Sequence, residues 1–316
     1  MYSKVKKVAP AEPEQPGFSK GKLRNSGQAE GILSAFQEKI IHSGRGTKSK
    51  DFLGFIGVAI SKYEGNKECE DSGFVARKKD GTILLGVFDG MYGPGSGSMA
   101  SKLSMGASLD YLLKADAGSL RQAFVAAEKK LRGTQEWKSA GDLKKPGCTA
   151  CIARLKPGNG VAIAWIGDSR GYVVRTNPPE AELVTNDHSI FNRDNLILNF
   201  NPDSLNPLSQ EQRNEYVSKR GGIWRFIGNG AGESEVRIRA LNRGDFLVLT
   251  SDGIGDVLTK NDILHTILSA SSPESAALAL VNLANSRPNT DYYTNDFGEL
   301  VFGKKDDRIA IVLKME

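Results

Sequence analysis

The residues of this 316-residue chain whose types and spacing could do chemistry are acids placed where apolar runs stop. Glu70-Asp71 precedes Ser72-Gly73-Phe74, Asp89-Gly90 closes TILLGVFDG, Asp252-Gly253 closes FLVLTSDG, and Asp306-Asp307 opens DDRIAIVLK. Gly167-Asp168-Ser169 is a fifth motif, between two apolar runs. A single Asp-Gly is ordinarily a turn, its carboxylate bonded to local backbone. An apolar strand that delivers a carboxylate at its end also incurs a desolvation cost, and doing so repeatedly makes sense if the carboxylates converge on cations that cancel their charge. Oxygen ligands select hard ions, Mg²⁺ or Mn²⁺ rather than zinc. His42, His188 and His265 are widely separated and form no metal-binding pair. Two hard ions roughly 3.5–4 Å apart can ionise a water and clamp a phosphoryl group, so hydrolysis of a phosphate ester is the natural chemistry.

Other motifs carry less. MYGPGSGSMAS lacks the Gly-Lys-Ser/Thr and the glycine spacing of a phosphate loop and reads as a turn into a helix. No Gly-x-Ser-x-Gly elbow supports a hydrolase triad. Cys148 and Cys151 have CxxC spacing, but within an apolar strand they point to opposite faces, and no second pair completes a zinc site. With Cys69 they read as reduced thiols in the core.

The acids need strands to present them. Residues 55–61, 73–77, 82–88, 149–155, 161–166, 171–175, 246–250 and 308–314 alternate or run apolar between turn residues. Helical spacing covers 98–113, 119–131, 210–219, 260–269 and 273–285, and a short amphipathic helix is expected with Ile32, Leu33, Phe36, Ile40 and Ile41 on one face. This order of strands, helix pair, strands, helix pair and last strand is not the alternation of a parallel α/β sheet; it fits antiparallel sheets faced by helix pairs. Asp187–Ser209 and Arg287–Lys305 are long polar stretches expected to be loops concerned with substrate selection.

Bulk composition, 39% hydrophobic and 25% charged, is that of an ordinary soluble protein. No apolar run approaches the length of a membrane span, and the basic, polar start lacks the apolar core of a signal peptide. The net charge of +5 is uneven: residues 1–50 hold ten Lys/Arg against four acids, leaving the rest at −1. Residues 1–50 are therefore set apart as a basic, partly disordered extension, and 51–316 as the folded domain. A solvated tail is favoured over a nucleic-acid or membrane contact, since the arm has no interleaved aromatics or folded motif.

The blocks VFDGMYG, GCTACIARL, GDSRGYVVR, LVTNDHS, LNRGDFLVLTSDGIGDVLT and DDRIAIVL, in that order over residues 55–314, resemble the signature blocks of the type 2C metal-dependent protein phosphatases. The resemblance implies an α+β fold of four layers, αββα: a central antiparallel β-sandwich flanked by antiparallel helix pairs. It implies hydrolysis of phosphoserine and phosphothreonine by a water bridging two Mg²⁺ or Mn²⁺ ions. By motif, Asp89 would bridge both metals, Glu70 and the Gly90 carbonyl would complete one site, and Asp252 and Asp306 the other. Asp71 would support this shell, and Asp168 matches the acid linked to a third, weaker metal near Asp252.

Two positions depart from the pattern. Asp89-Gly90-Met91-Tyr92-Gly93 stands where the family reads Asp-Gly-His-Gly, and Met91 has no proton to give a leaving alkoxide. The arginine that grips substrate phosphate four residues before the glutamate is Asn66, with Lys67 beside it as the substitute candidate. Reduced activity is expected, since a positioned acid contributes on the order of 10²–10⁴ in rate; the alternative is an inactive relative serving as a binding or regulatory module. A cytoplasmic monomer acting on phosphoproteins is expected, with the nucleus as the alternative compartment.

Overall fold

The computed structural model describes residues 32–36, 42–45, 54–64, 66, 68–91, 96–114, 119–156, 160–190, 208–219, 222–301 and 303–316. Fourteen strands are seen among them. The first ten are β1 (Ile32–Phe36), β2 (His42–Arg45), β3 (Gly54–Ser61), β4 (Asp71–Arg77), β5 (Ile83–Met91), β6 (Gly147–Leu155), β7 (Val161–Ile166), β8 (Arg170–Thr176), β9 (Pro179–Leu183) and β10 (Glu235–Arg239). The rest are β11 (Phe246–Thr250), β12 (Tyr293–Thr294), β13 (Leu300–Val301) and β14 (Arg308–Met315). The helices are α1 (Ser96–Lys114), α2 (Leu120–Arg132), α3 (Gln135–Ser139), α4 (Gln210–Lys219), α5 (Asp252–Gly255), α6 (Lys260–Ser269) and α7 (Pro273–Ser286).

Two six-stranded sheets form, in the orders β1-β4-β5-β6-β7-β10 and β2-β3-β14-β11-β8-β9. Every pairing within them is antiparallel. Because strand side chains alternate, the central strands each serve two cores. Val75, Leu85, Val87, Cys151, Ile163, Leu249, Ile309 and Ile311 meet between the sheets. Phe74, Leu84, Phe88, Cys148 and Ile152 face α1 and α2, while Tyr172, Val174, Val248, Ala310 and Val312 face α6 and α7. The expected α+β arrangement of helix pair, sheet, sheet, helix pair is what forms. Cys148 and Cys151 do lie on opposite faces of one sheet, both buried and free.

The structure corrects three local expectations. Residues 32–36 are an edge strand pairing with β4 rather than the start of a helix, so the sheet supplies their backbone partners; residues 37–41 lie outside the described residues. Both β1 and β2 fall inside the segment 1–50 set apart as an extension, and both add to the main sheets. The stretch 287–305 is not a bare loop: β12 and β13 pair as a hairpin whose Asn295 and Glu299 bond to the start of α6. Of the other polar stretch, 191–207 lies outside the described residues. Among the described residues no helix is long and apolar enough to cross a membrane.

Candidate metal centre

The inward row of β5 reads Leu85, Val87, Asp89; the first two are core, and the third is a carboxylate at the rim of the sandwich. Asp71 stands directly across from Asp89 on β4. From the facing sheet, β11 runs out into Ser251 and then Asp252, the first residue of the one-turn helix α5, where the sequence suggested only a turn. Ser251 Oγ donates to Asp71 Oδ2 at 2.7 Å, tying the two sheets at this end. Asp168 enters on the β7–β8 turn, and Asp306 on the segment leading into β14.

Backbone geometry fixes these acids closely. A Cβ at Gly90 would lie 2.0 Å from the Gly97 carbonyl oxygen, and one at Gly97 would lie 2.7 Å from Glu70 Oε1. Only bare backbone lets α1, β5 and Glu70 approach so near. The Gly90 N–H donates to the Glu70 carbonyl at 3.1 Å. Asp307, unassigned by the sequence, orders the approach to Glu70: its carboxylate accepts from the N–H groups of Tyr63 and Glu70, each at 2.6 Å, and from Asn66 Nδ2 at 3.1 Å. Asn66 is thus engaged with Asp307. Lys67 lies outside the described residues.

Three further groups escaped sequence reasoning. Arg170 is buried and bonds both Asp187 oxygens (3.1 and 2.6 Å), Asp256 Oδ1 (3.0 Å) and the Gly255 carbonyl, thereby holding α5 against the start of β8. Gly167 adopts φ +92°, a left-handed conformation suited to glycine, and its N–H donates to His188 Nδ1 at 3.0 Å. That acceptor role leaves the proton on His188 Nε2, which faces Glu235 Oε1 at 3.1 Å. The third is Lys304, whose Nζ lies against Asp252 Oδ2 and 2.9 Å from Asp306 Oδ2. A basic pair beside an acidic pair, and an arginine opening an apolar strand, were the only sequence signals for Lys304 and Arg170.

The electrostatics follow from burial. Desolvation pushes Asp71, Asp89 and Asp168 well above the ordinary carboxylate range; a hydrogen bond from Ser251 partly offsets this for Asp71, and neighbouring acids, Asp252 foremost, reinforce it for Asp89 and Asp168. Glu70 rises to about 7 through desolvation and the charges of Asp307 and Asp306. Asp256 rises to about 6 by burial, against the pull of Arg170. Burial would raise Asp252 also, but the Lys304 ammonium overrides it and holds that carboxyl low. Asp71 Oδ1, Asp168 Oδ1 and Asp252 Oδ1 are buried with no hydrogen-bond partner. Orphaned carboxylate oxygens on three converging acids fit a hard cation. Among the described residues, no three acidic, histidine or cysteine side chains are arranged to hold a metal ion as they stand; instead, Lys304 sits among the acids.

Comparison with known proteins agrees with this architecture. Residues 60–283 match the family protein phosphatase 2C. The chain is similar to a putative protein phosphatase 2C-type protein of Streptococcus pyogenes, 27% identical over 244 residues, covering 75% of this chain and 94% of that one. It is also similar to the serine/threonine phosphatase stp of Listeria welshimeri, 26% identical over 237 residues, covering 71% and 87%. Among solved structures, the S. agalactiae serine/threonine phosphatase superposes with a TM-score of 0.66 at 23% identity, covering 84% of this chain and all 100% of that one. The catalytic domain of the phosphatase PstP, in complex with two manganese ions, gives 0.61 at 23% identity, covering 83% and 97%. The fold is shared with both. The chain belongs to the protein phosphatase 2C family, the metal-dependent protein serine/threonine phosphatases.

Proposed function

We propose that the carboxylate cluster holds two Mg²⁺ or Mn²⁺ ions and hydrolyses phosphoserine and phosphothreonine in proteins. The observation that carries the reading is the set of three buried carboxylate oxygens without partners at one rim of the sandwich. Glu70, Asp89 and the Gly90 carbonyl would hold one ion; Asp89, Asp252 and Asp306 the other; Asp71 supports them, and Asp168 beside Asp252 is the candidate for a third, weaker ion. Such ions supply an ionised water and neutralise phosphoryl charge. The residues' own part is placement: Ser251 fixes Asp71, Asp307 fixes the backbone of Glu70, and Arg170 fixes the helix that begins with Asp252. Lys67 is the candidate for contacting substrate phosphate. The three buried free cysteines fit the reducing cytoplasm, where we place the enzyme as a monomer acting on phosphoproteins.

Manganese-dependent hydrolysis of a phosphothreonine peptide, with Asp252→Ala as control, tests this. Turnover is expected in the wild type and loss to background in the variant; a folded wild type no faster than the variant would overturn it. Met91 and the engaged Asn66 favour a second reading, a metal-binding regulatory module without catalysis. Calorimetric Mn²⁺ binding with no turnover would select that one.

A further inference from the structure

Lys304 belongs to no part of the reaction outlined above, yet it lies at the centre of the site. Its Nζ contacts Asp252 Oδ2, lies 2.9 Å from Asp306 Oδ2, and is 3.8 Å from Asp256 Oδ2. Asp252 and Asp306 are the two acids assigned to the second ion. The contact is built rather than incidental, because the backbone on either side is fixed. Buried Arg308 donates to the Lys304 carbonyl at 2.8 Å and to the Asp306 carbonyl at 2.7 Å. On the other side, a Cβ at Gly303 would lie 2.3 Å from the Pro288 carbonyl oxygen, so the chain there is pressed against the segment after α7. An ammonium is a compact point charge with three donors. It can satisfy carboxylate lone pairs much as a metal does, but it cannot share them with one. The side chain remains 23% exposed, so it has a way out.

We infer that Lys304 is a tethered cation that fills the Asp252–Asp306 subsite before metal binds, so that the second divalent ion enters only by displacing it. The inference rests on the proposed metal reading. It makes metal loading sequential: the Glu70–Asp89 ion binds first, and the second ion binds more weakly because it must separate an ion pair. Metal concentration would then govern activity through one side chain.

Calorimetric titration with MnCl₂ of the wild type, Lys304→Met and Lys304→Arg tests it. Lys304→Met is expected to tighten the weaker of two Mn²⁺ events on the order of tenfold, with the tighter event unchanged, while Lys304→Arg keeps a cation and the weak second event. Two ions bound with the same affinities in all three proteins would overturn the inference and leave the phosphatase reading standing. No Mn²⁺ binding in any of them would overturn both. Should Lys304→Met fail to fold, amine acetylation of the wild type read by mass spectrometry serves instead: modification of Lys304 rises on adding Mn²⁺ if the inference holds, and an unchanged level refutes it.

Discussion

Met91 continues the inward row that runs Leu85, Val87, Asp89 along β5, so its side chain leaves the strand on the same face as the central acid. It is only partly buried and pairs with Gly147 across the sheet, where there is no opposing side chain. An imidazole at this position would stand two residues from Asp89 on the same face of the strand, beside the acids proposed to hold the metals. A serine or threonine alkoxide needs a proton to depart; a nitrophenolate does not. Met91→His is therefore expected to raise kcat on a phosphothreonine peptide by about tenfold, part of the roughly 10²–10⁴ a positioned acid contributes, while leaving para-nitrophenyl phosphate nearly unchanged. Parallel steady-state kinetics on the two substrates check this; equal gains on both would mean that the substitution acts by something other than proton donation. At this scale the acids were legible, because a carboxylate ending an apolar strand is conspicuous. Lys304, Arg170, Ser251 and Asp307 were not, since their roles depend on partners 52, 85, 180 and 237 residues away.

The long elements were legible for the same reason that they are stable. Helices α2, α6 and α7 and strands β5, β6, β11 and β14 have periodic apolar faces that fill one of three cores. Strand β10 reads against its own pattern: Val236 and Ile238 are exposed, whereas Arg237 turns its guanidinium over the Trp165 ring and donates to the Val184 carbonyl. No amphipathic template finds a strand whose charged side chains make the contacts. The β12–β13 hairpin was missed because two-residue strands carry no period. It is held by polar chemistry at the start of α6. Thr259 caps that helix reciprocally with Asp262, Glu299 accepts from Thr259 Oγ1 at 2.8 Å, and Asn295 donates to Asp262 Oδ2 at 3.1 Å. Arg287, nearly buried, donates to Asp262 Oδ1 at 2.7 Å. Asp262→Ala removes its side-chain half of the reciprocal cap and leaves that guanidinium short of its main partner, so a loss of about 3 kcal/mol is expected. Urea denaturation measures it; a loss under about 1 kcal/mol would show that the latch is not a source of stability.

For the whole molecule, the two ends of the acid cluster differ in how they are compensated before metal binds. Lys304 neutralises the Asp252–Asp306 end, whereas among the described residues no lysine or arginine forms an ion pair with Glu70, Asp71 or Asp89, which are pushed up by burial and by the charges of neighbouring acids. Glu70 shifts from an ordinary 4.5 to about 7. A carboxyl whose pKa is higher in the folded state binds more protons there than in the unfolded chain between those two values. Its protonated form therefore supports the fold fully below pH 4.5, and that support is lost as pH rises through 7. In EDTA the melting temperature should thus fall between pH 5 and pH 8. On the proposed reading, divalent cations would bind the deprotonated cluster and the folded state only, adding about 2.7 kcal/mol at a concentration a hundredfold above Kd. Protons compete for the same oxygens, so the gain in melting temperature from Mn²⁺ should be small at pH 5 and large at pH 8. Thermal scans across that range, with EDTA and with MnCl₂, test both trends together. A metal-independent profile, or a Mn²⁺ gain that shrinks toward pH 8, would mean that the buried acids at the Glu70 end are not the cation ligands.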